Sequence, residues 1–128
     1  MSYHISTTLD LTIDEAIARV TEALKEKGFG VLTTIDVAET LKMKIDVDFR
    51  PYVILGACNP HFAHQALMHE DKIGTMLPCN VIIQAVEGGG VEVSAVDPMA
   101  SMQAIDNPNL GAMAVEVQGM LKDMIEGL

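Results

Sequence analysis

Residues 52–58 form an unbroken apolar run that leads directly into Asn59 and Pro60. A short run of this kind, bounded by turn residues, is typical of a strand that is central in its sheet or buried on both faces. Asparagine is a preferred N-cap residue, and proline is favoured at the first position of a helix. The pattern therefore predicts a buried strand that passes directly into a helix.

Strand and helix patterns alternate along the whole chain, roughly in the order βαββαββα. The helical segment at residues 12–28 begins with an N-cap threonine and ends at a glycine, and the glycines of residues 88–90 mark a hairpin turn. Residues 38–45 fit either a helical turn or a continued strand. Strands are predicted at residues 3–9, 30–36, 52–58, 80–86 and 91–96, and helices at residues 12–28, 59–73 and 108–126.

The first six elements match the split βαβ pattern, in which helices pack on one face of a single antiparallel sheet. The next strand and helix extend this arrangement. A chain of 128 residues is long enough to bury a core without disulfides or structural metals. We therefore expect residues 1–128 to form a single α+β domain with one mainly antiparallel sheet and helices packed on one face.

Charge and hydropathy argue against two classes of partner. The chain has a formal net charge of −10 at pH 7, so it repels nucleic-acid phosphates and anionic membranes at long range. Residues 1–6 lack the basic start of a signal peptide, and no apolar run approaches the roughly 18 residues of a membrane span. We therefore expect a cytoplasmic protein that binds neither nucleic acid nor membrane.

The chain has two cysteines, Cys58 and Cys79, and each is followed by an asparagine. In a reducing compartment both are expected to be thiols rather than a structural disulfide. In the expected sheet, the strand end at Cys58 and the strand start at Cys79 lie at the same edge, separated by about 4.8 Å per strand step. The repeated pair therefore predicts one site whose ligand-binding residues are Cys58, Asn59, Cys79 and Asn80.

Cys58 has the strongest case for chemistry. A thiol just before a helix N-terminus is near the positive end of the helix dipole and near free N–H groups, which favour thiolate over thiol. A thiolate can attack, bind a soft metal or carry sulfur, so Cys58 and Cys79 are also the candidate catalytic residues. The competing interpretation is structural, because free cysteine is among the most buried residue types. Asn59 and Asn80 likewise fit a helix cap and a turn residue.

Two histidines extend the spacing that starts at Cys58. His61 and His64 follow at intervals of three residues, so both can face one way on the first turns of the helix. Such a mixed set of ligands could hold zinc or copper. A solvated helix face explains the histidines equally, and no CxxC or HExxH motif supports a metal. The sequence therefore assigns no metal site and leaves the role of His61 and His64 open.

Several short segments form a further pattern: residues 56–60, Ala63, Ala66-Leu67, Ile73-Gly74, residues 77–81 and Asp97-Pro98. Together these segments resemble the family catalogued as domain of unknown function number 302. The resemblance covers nearly the whole chain and implies a small α+β domain, often dimeric, with no established activity. His61, His64 and His69 fall at variable positions of that family, so a site built on them would be peculiar to this chain.

Three functions remain open, and the sequence specifies neither a ligand nor a cofactor. The first is a binding module with Cys58 and Cys79 at the rim of a small apolar pocket. The second is a thiol-based redox or sulfur-handling enzyme with Cys58 as nucleophile and Cys79 as resolving thiol. The third is a dimeric structural or interaction protein in which the cysteines only pack. We favour the first, because Cys58 lacks an evident catalytic base and a scaffold does not explain the repeated Cys-Asn pair.

A homodimer is expected on separate grounds. An extended antiparallel sheet has edge strands whose unpaired backbone groups need protection. The mean hydropathy of +0.28 also exceeds what one small core needs. Dimerisation would cover this surface.

Overall fold

A computed structural model describes residues 2–128 of the chain. The strands in these residues form one antiparallel sheet in the order β1-β5-β4-β3-β2. They are β1 (His4–Leu9), β2 (Gly30–Asp36), β3 (Tyr52–Cys58), β4 (Cys79–Ala85) and β5 (Val91–Val96). The helices are α1 (Ile13–Glu26), α2 (Val37–Ile45), α3 (Pro60–His69), α4 (Pro98–Ser101) and α5 (Pro108–Glu126), and a 3₁₀ helix (Asp71–Met76) follows α3.

Local caps explain where the helices begin. At the start of α1, the backbone N–H of Glu15 donates to Thr12 Oγ1 at 3.2 Å, and the Glu15 carboxylate accepts from the Thr12 N–H at 3.0 Å. At the start of α2, Asp36 accepts from the N–H of Glu39 at 2.9 Å. This cap favours a helix at residues 37–45, the segment whose pattern also allowed a strand.

The main core lies between one face of the sheet and the helices α1 and α5. Leu55 on β3 and Ile83 on β4 are fully buried there, together with Val20 and Leu24 of α1 and Leu121 of α5. The fold class predicted from the sequence is therefore confirmed: one antiparallel sheet with packed helices in roughly the order βαββαββα. Within residues 2–128, no helix combines the length and the apolar character that crossing a lipid bilayer requires.

Candidate functional site

Cys58 and Cys79 line the same cavity, at the edge of the sheet where β3 ends and β4 begins. Helices α3 and α5 form its opposite walls, and the cavity has a volume of about 50 Å³. One water molecule needs at least about 10–15 Å³ of such space, so the cavity admits a group of a few atoms. The side chains that close it are apolar and include Phe29, Phe62, Ala66, Leu110, Ala114 and Val117.

The strand register sets the separation of the two cysteines. Cys79 pairs directly with Ala57, so Cys58 lies one residue further along β3. Directly opposite Cα atoms of an antiparallel pair are about 5 Å apart and each residue rises about 3.4 Å, so the Cα atoms of Cys58 and Cys79 are about 6 Å apart. Both residues are half-buried free thiols. The two cysteines therefore share one sheet edge without being a direct cross-strand pair.

Asn59 caps α3, as predicted from its position before Pro60. Its Oδ1 accepts from the N–H groups of His61 at 3.2 Å and Phe62 at 3.4 Å, and its carbonyl oxygen accepts from Ala63 at 2.9 Å. Pro60 has no N–H to offer. The first turn of α3 therefore leaves no free N–H group for a Cys58 thiolate, which removes that part of the electrostatic argument. Only the helix dipole remains.

The Asn59 carboxamide nitrogen lies next to Gly28. No acceptor within residues 2–128 bonds to Nδ2, and this atom lies 3.1 Å from the place a Cβ on Gly28 would take. Gly28 has a φ of +84°, so glycine is favoured there by both backbone conformation and space.

Asn80 lies on the other face of the sheet. Consecutive side chains of a strand point to opposite faces, and Cys79 faces the cavity. Asn80 is exposed and lines a separate groove beside Tyr52 and Ile82. Of the four predicted ligand-binding residues, Cys58, Asn59 and Cys79 are therefore brought together and Asn80 is not.

The thiol of Cys79 is held in its neutral form. Burial is the larger cause, and the charge of a nearby Cys58 thiolate adds to it, so that the pKa of Cys79 rises from 9.0 to about 11. The second cause agrees with the strand register, which places the two cysteines at one sheet edge. At neutral pH, Cys79 is therefore a weakly polar thiol that suits an apolar cavity.

His61 and His64 lie on the exposed surface of α3 and do not line the cavity. Residues 2–128 contain no group of three or more His, Cys, Asp or Glu side chains placed to hold a metal ion. His61 and His64 therefore do not share a site with Cys58, although the three residues follow one another at intervals of three. The two histidines are part of the solvated helix face.

Comparison with known proteins identifies the family. The model described as "Domain of unknown function DUF302" matches residues 5–128. The chain belongs to the DUF302 family. It is also similar to the crystal structure of an uncharacterized conserved DUF302 protein from Bacillus stearothermophilus, with 30% identity, 98% of each chain covered and a TM-score of 0.90. No curated protein matches the chain. The resemblance based on the Cys-Asn segments is confirmed, and DUF302 membership defines no activity.

Sequence reasoning missed the far walls of this DUF302 cavity. Pro98 and Met102 reach it from α4 and its C-terminal end, and Leu110 and Ala114 reach it from α5. The apolar periodicity of residues 108–126 predicts a helix but does not indicate a cavity. A four-residue helix such as α4 is too short to show periodicity, and only the Asp97-Pro98 pair signalled its start.

Proposed function

We propose that residues 1–128 form one cytoplasmic domain that binds a small, neutral ligand in the cavity beside Cys58 and Cys79. The observation that carries this proposal is that both cysteines of the chain line one apolar cavity. Ligand sites are commonly concave and apolar, with a few polar groups that orient the ligand. Here those groups are the two cysteine thiols.

The charge of the cavity lining supports a neutral ligand. None of the cavity-lining residues is Asp, Glu, Lys, Arg or His. An ion transferred into such an apolar space loses its hydration and gains no partner, which is costly. A neutral apolar or sulfur-containing molecule loses little hydration and gains contacts with the thiols and the aromatic rings.

A thiol-based redox or sulfur-handling enzyme is the second candidate. The proximity of Cys58 and Cys79 at one sheet edge favours it, because a resolving thiol must lie near the nucleophile. The cavity lining includes no general base, and within residues 2–128 neither thiol is hydrogen bonded to a base. Cys79 is also neutral at physiological pH. These features place the enzyme second to the binding module.

Dimethyl sulfide, a neutral sulfur compound with three heavy atoms, is a suitable probe of the cavity. The best small ligands gain about 1.5 kcal/mol per heavy atom, so its dissociation constant is expected to be about 1 mM or weaker. Titration in the millimolar range should produce saturable shifts of the ¹³C-labelled methyl groups of Met102 and Met113, which line the cavity.

Two leucine substitutions on α5 give this test its control. Ala114→Leu fills the cavity and should abolish the saturable shifts, whereas Val115→Leu changes a neighbouring side chain that is 54% exposed and should leave them intact. Shifts that fail to saturate, or that are equal in the two variants, would contradict ligand binding in the cavity.

We also propose a homodimer, with the second copy packed against the edge strand β2 and the adjoining α2. Half of the large apolar side chains that are exposed within residues 2–128 come from the short stretch between β2 and β3 or from β2 itself. They are Leu32, Ile35, Met43, Ile45, Val47 and Phe49. A symmetric copy offers the same edge strand and the same apolar patch, so each side covers the other.

Sedimentation at micromolar concentration is expected to show a dimer. Ile45→Glu should weaken the dimer by about tenfold or more, because a carboxylate buried in an interface without a partner is costly. Ile45 is 63% exposed, so the change should not affect folding. Val115→Glu places the same charge on an exposed apolar position of α5 and should leave the dimer intact. A wild-type monomer at this concentration would rule out the proposal.

A further inference from the structure

A groove crosses the face of the sheet that points away from the main core. Its volume is about 350 Å³, and β3, β4 and β5 provide its floor. The register places Tyr52 beside Gln84 and Gln84 beside Glu92, and two residues further along it places Ile82 beside Ser94. The groove therefore has a polar end followed by a partly apolar floor, and it is separate from the cavity at the cysteines.

Arg50 is held at the polar end by three contacts. Its guanidinium carbon lies 4.4 Å from the ring centre of Phe49 and 5.8 Å from that of Tyr52. Its Nε donates a hydrogen bond to Gln84 Oε1 at 2.9 Å. These contacts restrict a long and flexible side chain before any ligand arrives, so less conformational entropy is lost on binding.

The guanidinium has no anionic partner among residues 2–128. The ion pairs there are formed by Lys42 and Lys72, and none involves Arg50. Gln84 lies between Arg50 and Glu92, because its Oε1 accepts from Arg50 and its Nε2 donates to Glu92 Oε1 at 3.3 Å. The two terminal nitrogens of Arg50 are therefore free, in a chain whose net charge is −10. The two terminal N–H groups of a positioned guanidinium, here called the Arg50 fork, can donate in parallel to the two oxygens of one carboxylate.

The opposite end of the groove is also ordered by hydrogen bonds. The hydroxyls of Ser6 and the buried Ser94 are 2.7 Å apart, and His4 Nδ1 is 2.7 Å from Ser6 Oγ. These hydrogen bonds fix the His4 ring at the β1 side of the groove, and Asn80 lines it from β4, with β5 between them. Gln84 and Asn80 are four residue steps apart along β4, which corresponds to about 14 Å.

We propose that this groove binds a small organic carboxylate, with its carboxylate group on the Arg50 fork and its apolar part over Ile82. Glu92 sits beside Gln84 at the polar end and disfavours a ligand with two negative charges. A monoanionic carboxylate is therefore favoured over a phosphate. Asn80 and His4 contact the far end of a longer ligand. The exposed Asn80 then has a binding role in the groove instead of in the cysteine cavity.

Benzoate is the probe, with benzamide as its neutral counterpart and inorganic phosphate as the competing anion. Benzoate should shift the backbone amide signals of Ile82, Gln84 and Ser94 in a saturable way, while benzamide should not. Arg50→Gln should weaken benzoate binding about 10- to 100-fold, because the loss of a charge-assisted hydrogen bond typically has an effect of this size. Arg50→Lys keeps the charge but loses the fork, and should weaken binding less.

Arg19→Gln is the matched control, because it removes an exposed arginine from α1 and leaves the groove unchanged. Benzoate binding should be the same in this variant as in the wild type. Equal binding in Arg50→Gln and wild type, or equal shifts with benzamide, would overturn the site. Tighter binding of phosphate than of benzoate would overturn the preference for a carboxylate.

Discussion

Replacement of Gly56 by alanine is expected to lower the free energy of unfolding by about 1–3 kcal/mol, the usual cost of overpacking a core. Gly56 is buried on β3, where a Cβ would lie 2.2 Å from Thr33 Oγ1 and 2.9 Å from Pro78 Cγ. Thr33 is its partner on β2, so the strands must move apart or the side chains must shift. Equilibrium unfolding in urea measures the change.

Two further variants separate lack of space from the loss of glycine itself. Gly111 lies on α5 with no atom within 4 Å of a Cβ, so Gly111→Ala should stabilise the protein by about 0.5–1 kcal/mol. Adding Thr33→Ala to Gly56→Ala removes the closer of the two contacts and should recover part of the loss. If Gly56→Ala is as stable as the wild type, β2, β3 and Pro78 do not pack as closely as described.

The fold could be predicted where local chemistry marks the ends of elements. Asn59-Pro60 marks the start of α3, Thr12 with Glu15 marks that of α1, and the glycines at residues 88–90 mark the hairpin. Residues 37–45 could not be assigned, because α2 buries none of its side chains. Without a buried face, a helix has no apolar period that distinguishes it from a strand.

The site could be predicted only in part. Antiparallel topology brings the end of β3 beside the start of β4, so the proximity of Cys58 and Cys79 follows from the element order. The alternation of β4 carried a further signal: Val81 is buried with Cys79 facing the same side, so Asn80 must face the other. The walls from α5 follow from tertiary packing, which no local pattern specifies. Arg50 lies in an irregular segment without a motif.

At pH 7, iodoacetamide is expected to modify Cys79 about 10- to 100-fold more slowly in the folded protein than in the unfolded chain. The thiolate is the reactive form, and a rise in the pKa of Cys79 from 9.0 to about 11 lowers its population about 100-fold. A more basic thiolate is also more nucleophilic, which recovers up to about tenfold. Mass spectrometry of the peptides that contain Cys58 and Cys79 follows each site separately.

The pH profile tests the cause of this slow reaction. Because the neutral form is stabilised, the rate for Cys79 should rise about tenfold per pH unit and level off only near pH 11. Cys58→Ser removes the smaller cause, so the Cys79 profile should shift only slightly toward lower pH, since burial remains. A rate that levels off below pH 9, or that equals the rate of the unfolded chain, would show that Cys79 is open to solvent. A slow rate supports the binding module over the thiol enzyme, because a neutral thiol cannot resolve a disulfide efficiently at physiological pH.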